Sequence, residues 1–470
     1  MAYEINIKPG TIPALDPEFV PAVLWNRAYR AAVAQSGRAV NIAITLERTN
    51  GTVSRCDTAI FPHREEYAAV NIKYTERLIK FLLWMKGGYR VTVAGCQELA
   101  ADLARIYAPN GARAFDYDIM GERIYGKPFE LRSCPLEQAL PAREIQVKLG
   151  GHMDGCRIGF DLGGSDRKCA AVIDGKTVFS EEVPWDPYFQ QDPNYHLEGI
   201  RDSLKRAAAK LPRVDAIGGS AAGVYVNNEP RLASLFRGIS PEDFQQHVVN
   251  IFHQLQQEWH NIPFVVANDG EVTALAGAIS MKTNGVLGLS MGTSQAVGYV
   301  NLNGNITDWL NELAFAPVDY SDHAPADEWS GDIGCGVQYF SQQAVARLAP
   351  AAGLDFPADM PLPERLVKVQ QLMTAGDERA AAIYRTIGIY LGYSIAHYAE
   401  FYDIRNLLIL GRVTSGAGGD LIISEAEKLL RREFPELAEQ VALRVPDEQF
   451  KRHGQAVIAA SLPELSQPEE

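Results

Sequence analysis

The chain has 470 residues, 47% of them hydrophobic and 22% charged, with a net charge of −14; that is the make-up of a globular protein with sizeable cores, divided into two to four domains. The acidic balance argues against a nucleic-acid-binding surface, and the most apolar run, Leu78 to Met85, holds Lys80 and is far too short for a membrane span. The six cysteines form no CxxC pair and no zinc spacing, and the first residues lack the pattern of a signal peptide. The expected compartment is therefore reducing and cytoplasmic.

Charge is distributed unevenly. Residues 1–150 carry 19 basic and 16 acidic side chains, whereas residues 151–470 carry 25 and 42. Prolines at 9, 13, 17 and 21 make residues 1–30 read as an irregular lead-in. A strand at 39–45 and the turn Thr49-Asn50-Gly51-Thr52 lead to a second strand at 53–61. A helix is expected over 65–86, stopped by Gly87-Gly88, then a strand at 89–94 and a helix at 97–107. Strand-like pieces at 112–119 and 127–132 complete an α/β domain without a helix-turn-helix. Its hairpin-then-helix opening echoes the segment after Ile158, but without an Asp and paired glycines at the turn. Residues 141–155 form the boundary.

Beyond it the pattern becomes regular. Ile158 to Lys176 reads as short strands joined by tight turns, with Asp174-Gly175 a strong hairpin signal. Asp161 ends the first strand and precedes Gly163-Gly164-Ser165. Paired glycines let backbone N–H groups converge on phosphate oxygens, and one carboxylate could hold Mg²⁺ through water. An ordinary glycine hairpin is the alternative reading of the same residues. A helix at 196–211, a strand at 214–217 ending in Gly218-Gly219-Ser220, a helix at 241–259 and a strand at 264–267 follow. That strand ends in Asn268-Asp269-Gly270, then a helix at 272–279 and a strand at 285–290 reach a second glycine-threonine turn, Met291-Gly292-Thr293-Ser294. A mostly helical block (344–348 and 380–402) precedes a strand at 407–410, Gly411-Arg412, a helix at 423–433 and a closing helix at 450–462. Ligands of open α/β sheets bind beyond the carboxyl ends of strands, so the turns at 161–165, 291–294 and 411–419 could share one nucleotide. An acceptor hydroxyl needs one group to orient it and one to take its proton; Asn-Asp at a strand end can do both, although Asn-Asp-Gly is also a plain turn signal.

In this order the motifs resemble those of the ROK-type sugar kinases of the actin/hexokinase superfamily, over about 155–465. Asp161-Leu-Gly-Gly-Ser resembles the first phosphate motif, Val265-Val-Ala-Asn-Asp-Gly-Glu the Asn-Asp segment, Gly288-Leu-Ser-Met-Gly-Thr-Ser the second phosphate motif, and Leu408-Ile-Leu-Gly-Arg the adenosine motif; Asp215-Ala-Ile-Gly-Gly-Ser is similar to the interlobe stretch. The resemblance implies two actin-like (ribonuclease H-like) lobes with a cleft between them, at 153–270 and 271–470, with a return of the C-terminal helix to the first lobe left open. An extra N-terminal α/β domain of unassigned role would occupy 1–152. It implies an ATP- and Mg²⁺-dependent kinase for a hexose-type sugar. Asp269 would be its general base and Asn268 and Glu312 sugar ligands. Gly163, Gly164 and Ser165 would face the transferred phosphate; Gly292, Thr293 and Ser294 the inner phosphates; and Gly411 the adenosine. Asp161 would hold Mg²⁺ through water.

Two departures bear on the sugar. Phe315 stands where the family has a zinc- and sugar-contacting His, and Val337 where it has a Glu. The family's cysteine-rich loop keeps only Cys335, so no structural zinc is expected. Partners would be a sugar and a nucleotide, with a homodimer open, and neither nucleic acid nor membrane. The alternative is a catalytically impaired ROK-like sugar- or nucleotide-sensing protein. Asp319, Asp322, His323, Asp327 and Glu328 cluster in a loop that could replace the lost sugar contacts, a solvated acidic loop being the plainer reading. Asp166 and Arg167 read as a local turn pair, with a phosphate contact by Arg167 the alternative.

Overall fold

A computed structural model describes residues 3–144, 149–445 and 448–465. It divides into two compact units, one of Met1–Ile145, Leu289–Ala296 and Asp308–Arg444, the other of Gln146–Gly288, Val297–Thr307 and Val445–Glu470.

The second unit is built on a five-stranded sheet. In spatial order its strands are Phe264–Asn268, Ala216–Ala221, Cys156–Leu162, Asp166–Ile173 and Lys176–Pro184. The first three are parallel and the last two run antiparallel to their neighbours. Asp174 and Gly175, both at positive φ, close the hairpin between the last two, as a primed two-residue turn requires. Cys156–Leu162 is buried along its whole length, the mark of a central strand covered on both faces. One face packs on the helix Pro193–Ala208 and on Phe236, Phe252 and Leu255. The other face carries the helices Asp269–Met281 and Glu448–Ala459. Gly159 and Gly218 admit this last helix at backbone distance, since a methyl on either would run into the carbonyl of Ala456 or Ala459. Buried Arg157 ties the chain beyond the helix down, donating to the carbonyl of Pro463 at 2.7 Å and of Asp154 at 2.6 Å.

In the first unit, the strands Val53–Ile60, Val40–Glu47, Arg90–Ala94 and Glu130–Cys134 form a sheet in that order. Val40–Glu47 is antiparallel to the strand that follows the long helix Glu65–Lys86, whereas Cys156–Leu162 is parallel to its counterpart. The echo between the two hairpin-helix segments therefore does not extend to their topology. Two local expectations are also corrected. The proline-rich lead-in contains a helix, Ala22–Gln35, which begins directly after Pro21 and buries Trp25, Tyr29 and Val33 at one-turn spacing. The strand expected at 112–119 is a short helix, Ala114–Asp118, because Asp116 is drawn into the interior by charge.

That charge is part of a buried ionic network. Lys80 Nζ, fully buried, lies 2.8 Å from Asp116 and 3.2 Å from Asp332. Arg77 pairs with Glu76 at 2.6 Å and with Asp332 at 3.1 Å, Arg113 reaches Asp332 at 2.5 Å and also Glu76, and Trp84 Nε1 donates to Asp116 at 2.6 Å. Three cations face three carboxylates, so the cluster is neutral. Neutrality with dense hydrogen bonding is what offsets the desolvation of buried charge. The network binds the helix Glu65–Lys86 to the loop before Cys335, and the backbone does the same nearby: Asn311 and Glu312 N–H groups donate to the carbonyls of Met85 and Trp84, each at 2.9 Å.

The acidic loop is not a solvated one throughout. Asp319 is buried and accepts from the N–H groups of Val20 and Ser321 at 2.9 and 2.8 Å and from Tyr339 Oη at 2.6 Å. Burial pushes its carboxyl up to about 6. Asp327 is likewise buried and caps its own turn through Ser330. Asp322, His323 and Glu328 are exposed. Among the described residues no helix is long and apolar enough to cross a membrane.

Candidate functional site

Parallel register brings the candidate residues of the second unit to one edge of its sheet. Asp161 stands opposite Ser220 on the neighbouring strand, and Asn268 opposite Ala221 on the next. All three strands therefore end on the same side, where such sheets bind ligands.

Asp161 is buried. Ser220 Oγ donates to its Oδ1 at 2.7 Å, and Lys168 Nζ, directly across the hairpin, lies 3.8 Å from its Oδ2 and 3.0 Å from Asp166. Burial raises the carboxyl pKa, opposed by the Ser220 hydrogen bond and the Lys168 charge. The turn after it is closed by Gly163 N–H donating to the Asp166 carbonyl at 3.0 Å. Ser165 Oγ donates to the Asp166 carboxylate at 2.9 Å. Arg167 does not reach this turn; its guanidinium is held by Ser203 at 2.5 Å and Asp202 at 2.7 Å.

Asn268 and Asp269 open a 13-residue helix, Asp269–Met281. The Asn268 amide acts as the cap: its Oδ1 accepts from Gly270 N–H at 2.7 Å while its Nδ2 donates to the Gly223 carbonyl at 2.7 Å. One amide N–H and one lone pair are left for a hydroxyl. Asp269, half-buried, accepts from Gly270 N–H at 2.9 Å. Burial, together with the Asp161 carboxylate, pushes its carboxyl up to about 6, against the lowering by the Gly270 N–H. A carboxylate held near neutrality at a strand end suits proton transfer.

The remaining candidates belong to the first unit. The turn Gly292-Thr293-Ser294 is closed by Gly292 N–H donating to the Ser294 carbonyl at 2.9 Å, with the Thr293 and Ser294 side chains exposed. Gln342, first residue of the helix Gln342–Ala351, donates its N–H to the Gly292 carbonyl at 2.9 Å. Gly411, at a φ of 99° after the strand Asn406–Leu410, lies so close to Met291 that a side chain would meet the Met291 backbone. The turns at 291–294 and 411–412 are thus neighbours. Glu312 is half-buried on the approach to the short helix Leu313–Phe315.

Phe315 has an explanation in packing. Its ring contacts Trp84 at 4.4 Å, Trp329 at 5.4 Å and Phe115 at 5.7 Å, so residues from the first 120 positions fill the space with aromatic surface. Val337 is a core residue. Burial pushes the Cys335 thiol up to about 12. Among the described residues no group of three or more His, Cys, Asp or Glu is arranged to hold a metal ion.

Sequence reasoning missed Ser220, Lys168 and Gln342. The first two are legible only once strand register is known, because each touches Asp161 by standing opposite it.

No protein-family model matches the chain, and no curated protein matches it in sequence. Solved structures do match in fold. The ROK hexokinase of Thermus thermophilus is 18% identical over 66% of this chain and 97% of its own, with a TM-score of 0.51. A ROK family glucokinase from Streptomyces griseus, solved with glucose and AMPPNP, is 19% identical over 66% and 98%, with a TM-score of 0.48. A ROK family transcriptional regulator, a homolog of the E. coli MLC protein, is 18% identical over 66% and 79%, with a TM-score of 0.49. The hexokinase match, at 18% identity and a TM-score of 0.51, speaks for the fold alone: the chain has an α/β, actin-like fold of the ROK type.

Proposed function

We propose that the protein is an ATP-dependent kinase that transfers the γ-phosphoryl group to a hydroxyl of a hexose-type sugar. The observation that carries this is the pairing of Asp161 and Asp269 at the carboxyl edge of one sheet, with a glycine turn after the first and a carboxyl near pH 6 on the second. Neither residue alone distinguishes a catalytic site from a turn. Together they provide an anion-binding turn, a carboxylate for an outer-sphere cation and a base.

In this reading Asp269, ionised above about pH 6, accepts the proton of the acceptor hydroxyl as the P–O bond forms, and the free amide N–H of Asn268 orients a neighbouring hydroxyl. The turn of Gly163, Gly164 and Ser165 is assigned to the transferred phosphoryl group, with the N–H groups of Gly164 and Ser165 as donors and Gly163 N–H closing the turn on the Asp166 carbonyl. Gly292, Thr293 and Ser294 are assigned to the inner phosphates, Gly411 to the adenosine and Glu312 to the sugar. Asp161 suits a hydrated Mg²⁺, since Ser220 takes one oxygen and the other is left with a distant ammonium at 3.8 Å; the ion would neutralise phosphate charge. The three-part division at 1–152, 153–270 and 271–470 and a cytoplasmic location are part of the same proposal.

The second reading, a sugar- or nucleotide-sensing protein without turnover, is favoured by Phe315 and Val337. Each puts apolar packing where the resemblance calls for a polar sugar contact. A panel of sugars assayed for ADP release with MgATP, with Asp269→Asn as control, separates the two. Turnover abolished by the substitution supports the kinase. Saturable sugar binding with no turnover on any sugar supports the sensor.

A further inference from the structure

Among the described residues, two hydrogen bonds hold the turn at 163–165 from within, both to Asp166 and neither engaging Gly164: Gly163 N–H on its carbonyl at 3.0 Å and Ser165 Oγ on its carboxylate at 2.9 Å. Glycines confer freedom as well as fit, and a turn that must present its N–H groups to an anion loses affinity if it has to be ordered on binding. The rest of its order is supplied from outside. Trp185 N–H donates to the Ser165 carbonyl at 3.1 Å, and the Trp185 indole Nε1 donates to the Gly163 carbonyl at 2.8 Å. Tyr188 lies over Gly164 so closely that a methyl there would meet its hydroxyl. The two flanking carbonyls are thus engaged by one residue. The N–H groups of Gly164 and Ser165 donate to no protein acceptor among the described residues.

The clamp is itself fixed. The Trp185 ring stacks with Tyr195 at 6.3 Å and packs against Gly199, and the Arg237 guanidinium covers Tyr188 at 4.1 Å. Buried His196 lies between two carbonyls, Pro187 at 3.1 Å and Leu235 at 2.9 Å, both on Nε2. Carbonyls only accept, so Nε2 carries the proton, and burial keeps the ring neutral by lowering its pKa. His196 thus anchors the segment from Trp185 to Gln190 at its middle.

We infer that Trp185 is a positioning residue for nucleotide binding: its two hydrogen bonds hold the 163–165 turn open to phosphate, with Tyr188 as the cover. This rests on the kinase reading above. It predicts a loss confined to the nucleotide, which a purely structural tryptophan would not produce. Trp185→Phe keeps an aromatic ring and the backbone N–H, and removes the indole donor together with part of the ring surface. The dissociation constant for MgATP, measured by calorimetry, should rise about fivefold, the worth of one neutral hydrogen bond. The KM of the sugar should stay unchanged, and the melting temperature should fall by only a few degrees. An unchanged MgATP constant overturns the inference, and so does a rise in both nucleotide and sugar constants. Should Trp185→Phe fail to fold, Tyr188→Phe is to weaken MgATP about twofold, and no weakening overturns the cover. Absence of MgATP binding by the unaltered protein would instead overturn the kinase reading, and this inference with it.

Discussion

Replacing Asp269 by Asn should destroy turnover and stabilise the protein, by an amount that depends on pH. Burial and the Asp161 charge lift the Asp269 carboxyl from 3.8 to about 6 on folding. The folded chain therefore binds this proton more tightly than the unfolded chain, and the group's contribution to stability falls as pH rises from 3.8 through 6. At pH 8 both states are ionised and the desolvated carboxylate costs about 3 kcal/mol, from about 1.36 kcal/mol per unit of pKa difference. At pH 4.5 the folded carboxyl is largely protonated and the cost drops to about 1 kcal/mol. Asn removes the charge and keeps an oxygen for the Gly270 N–H, now at 2.9 Å. Thermal unfolding followed by circular dichroism should show the Asn variant melting roughly 6–12 °C higher at pH 8, at about 2–4 °C per kcal/mol, with only a third of that gain at pH 4.5. ADP release on the best sugar should fall by about 10²–10⁴. An equal or lower melting temperature at pH 8, or a gain independent of pH, would refute the assignment of a strained base.

The same titration predicts that kcat of the unaltered protein falls tenfold per pH unit below about 6; a flat profile between pH 5 and 7 would remove Asp269 as the base. Lys80→Met takes away the cation paired with buried Asp116 and leaves the cluster with two cations for three carboxylates, and should lower stability by about 3–5 kcal/mol in denaturant titrations. Gly218→Ala places a methyl against the Ala459 carbonyl and should cost about 1–3 kcal/mol. Faster amide exchange in Glu448–Ala459 would be its signature, and unchanged protection there would contradict it.

Much of the fold was legible where period and turn chemistry agreed. The strands either side of Asp174-Gly175, the strand ending at Asn268 and the glycine turns after Asp161 and Met291 all lie where alternation and punctuation put them. The failures have physical causes. Pro21 reads as a breaker, but at the residue before a helix it only marks the start. Asp319 and Asp327 read as solvated because carboxylates usually are; nothing local signals that Val20 and Tyr339, distant in sequence, supply hydrogen bonds to Asp319, whereas Asp327 is served by a near neighbour, Ser330. Ser220 and Lys168 became visible through strand register, a long-range property. Trp185 and His196 carry no local signal at all, since what they hold is backbone carbonyls.

The helix Glu448–Ala459 covers strands whose first residues lie at 156–162, and the stretches 289–296 and 308–444, which build the other unit, come between them in the chain. During synthesis, the sheet that carries Asp161 and Asn268 must wait, one apolar face covered only in part by the helix Asp269–Met281, until that whole intervening sequence has left the ribosome. The unit of 1–145, 289–296 and 308–444 has all its segments before residue 445, so the other unit is the one that waits for the chain's last stretch, and a nascent chain arrested before residue 448 would expose a surface fit for chaperone capture.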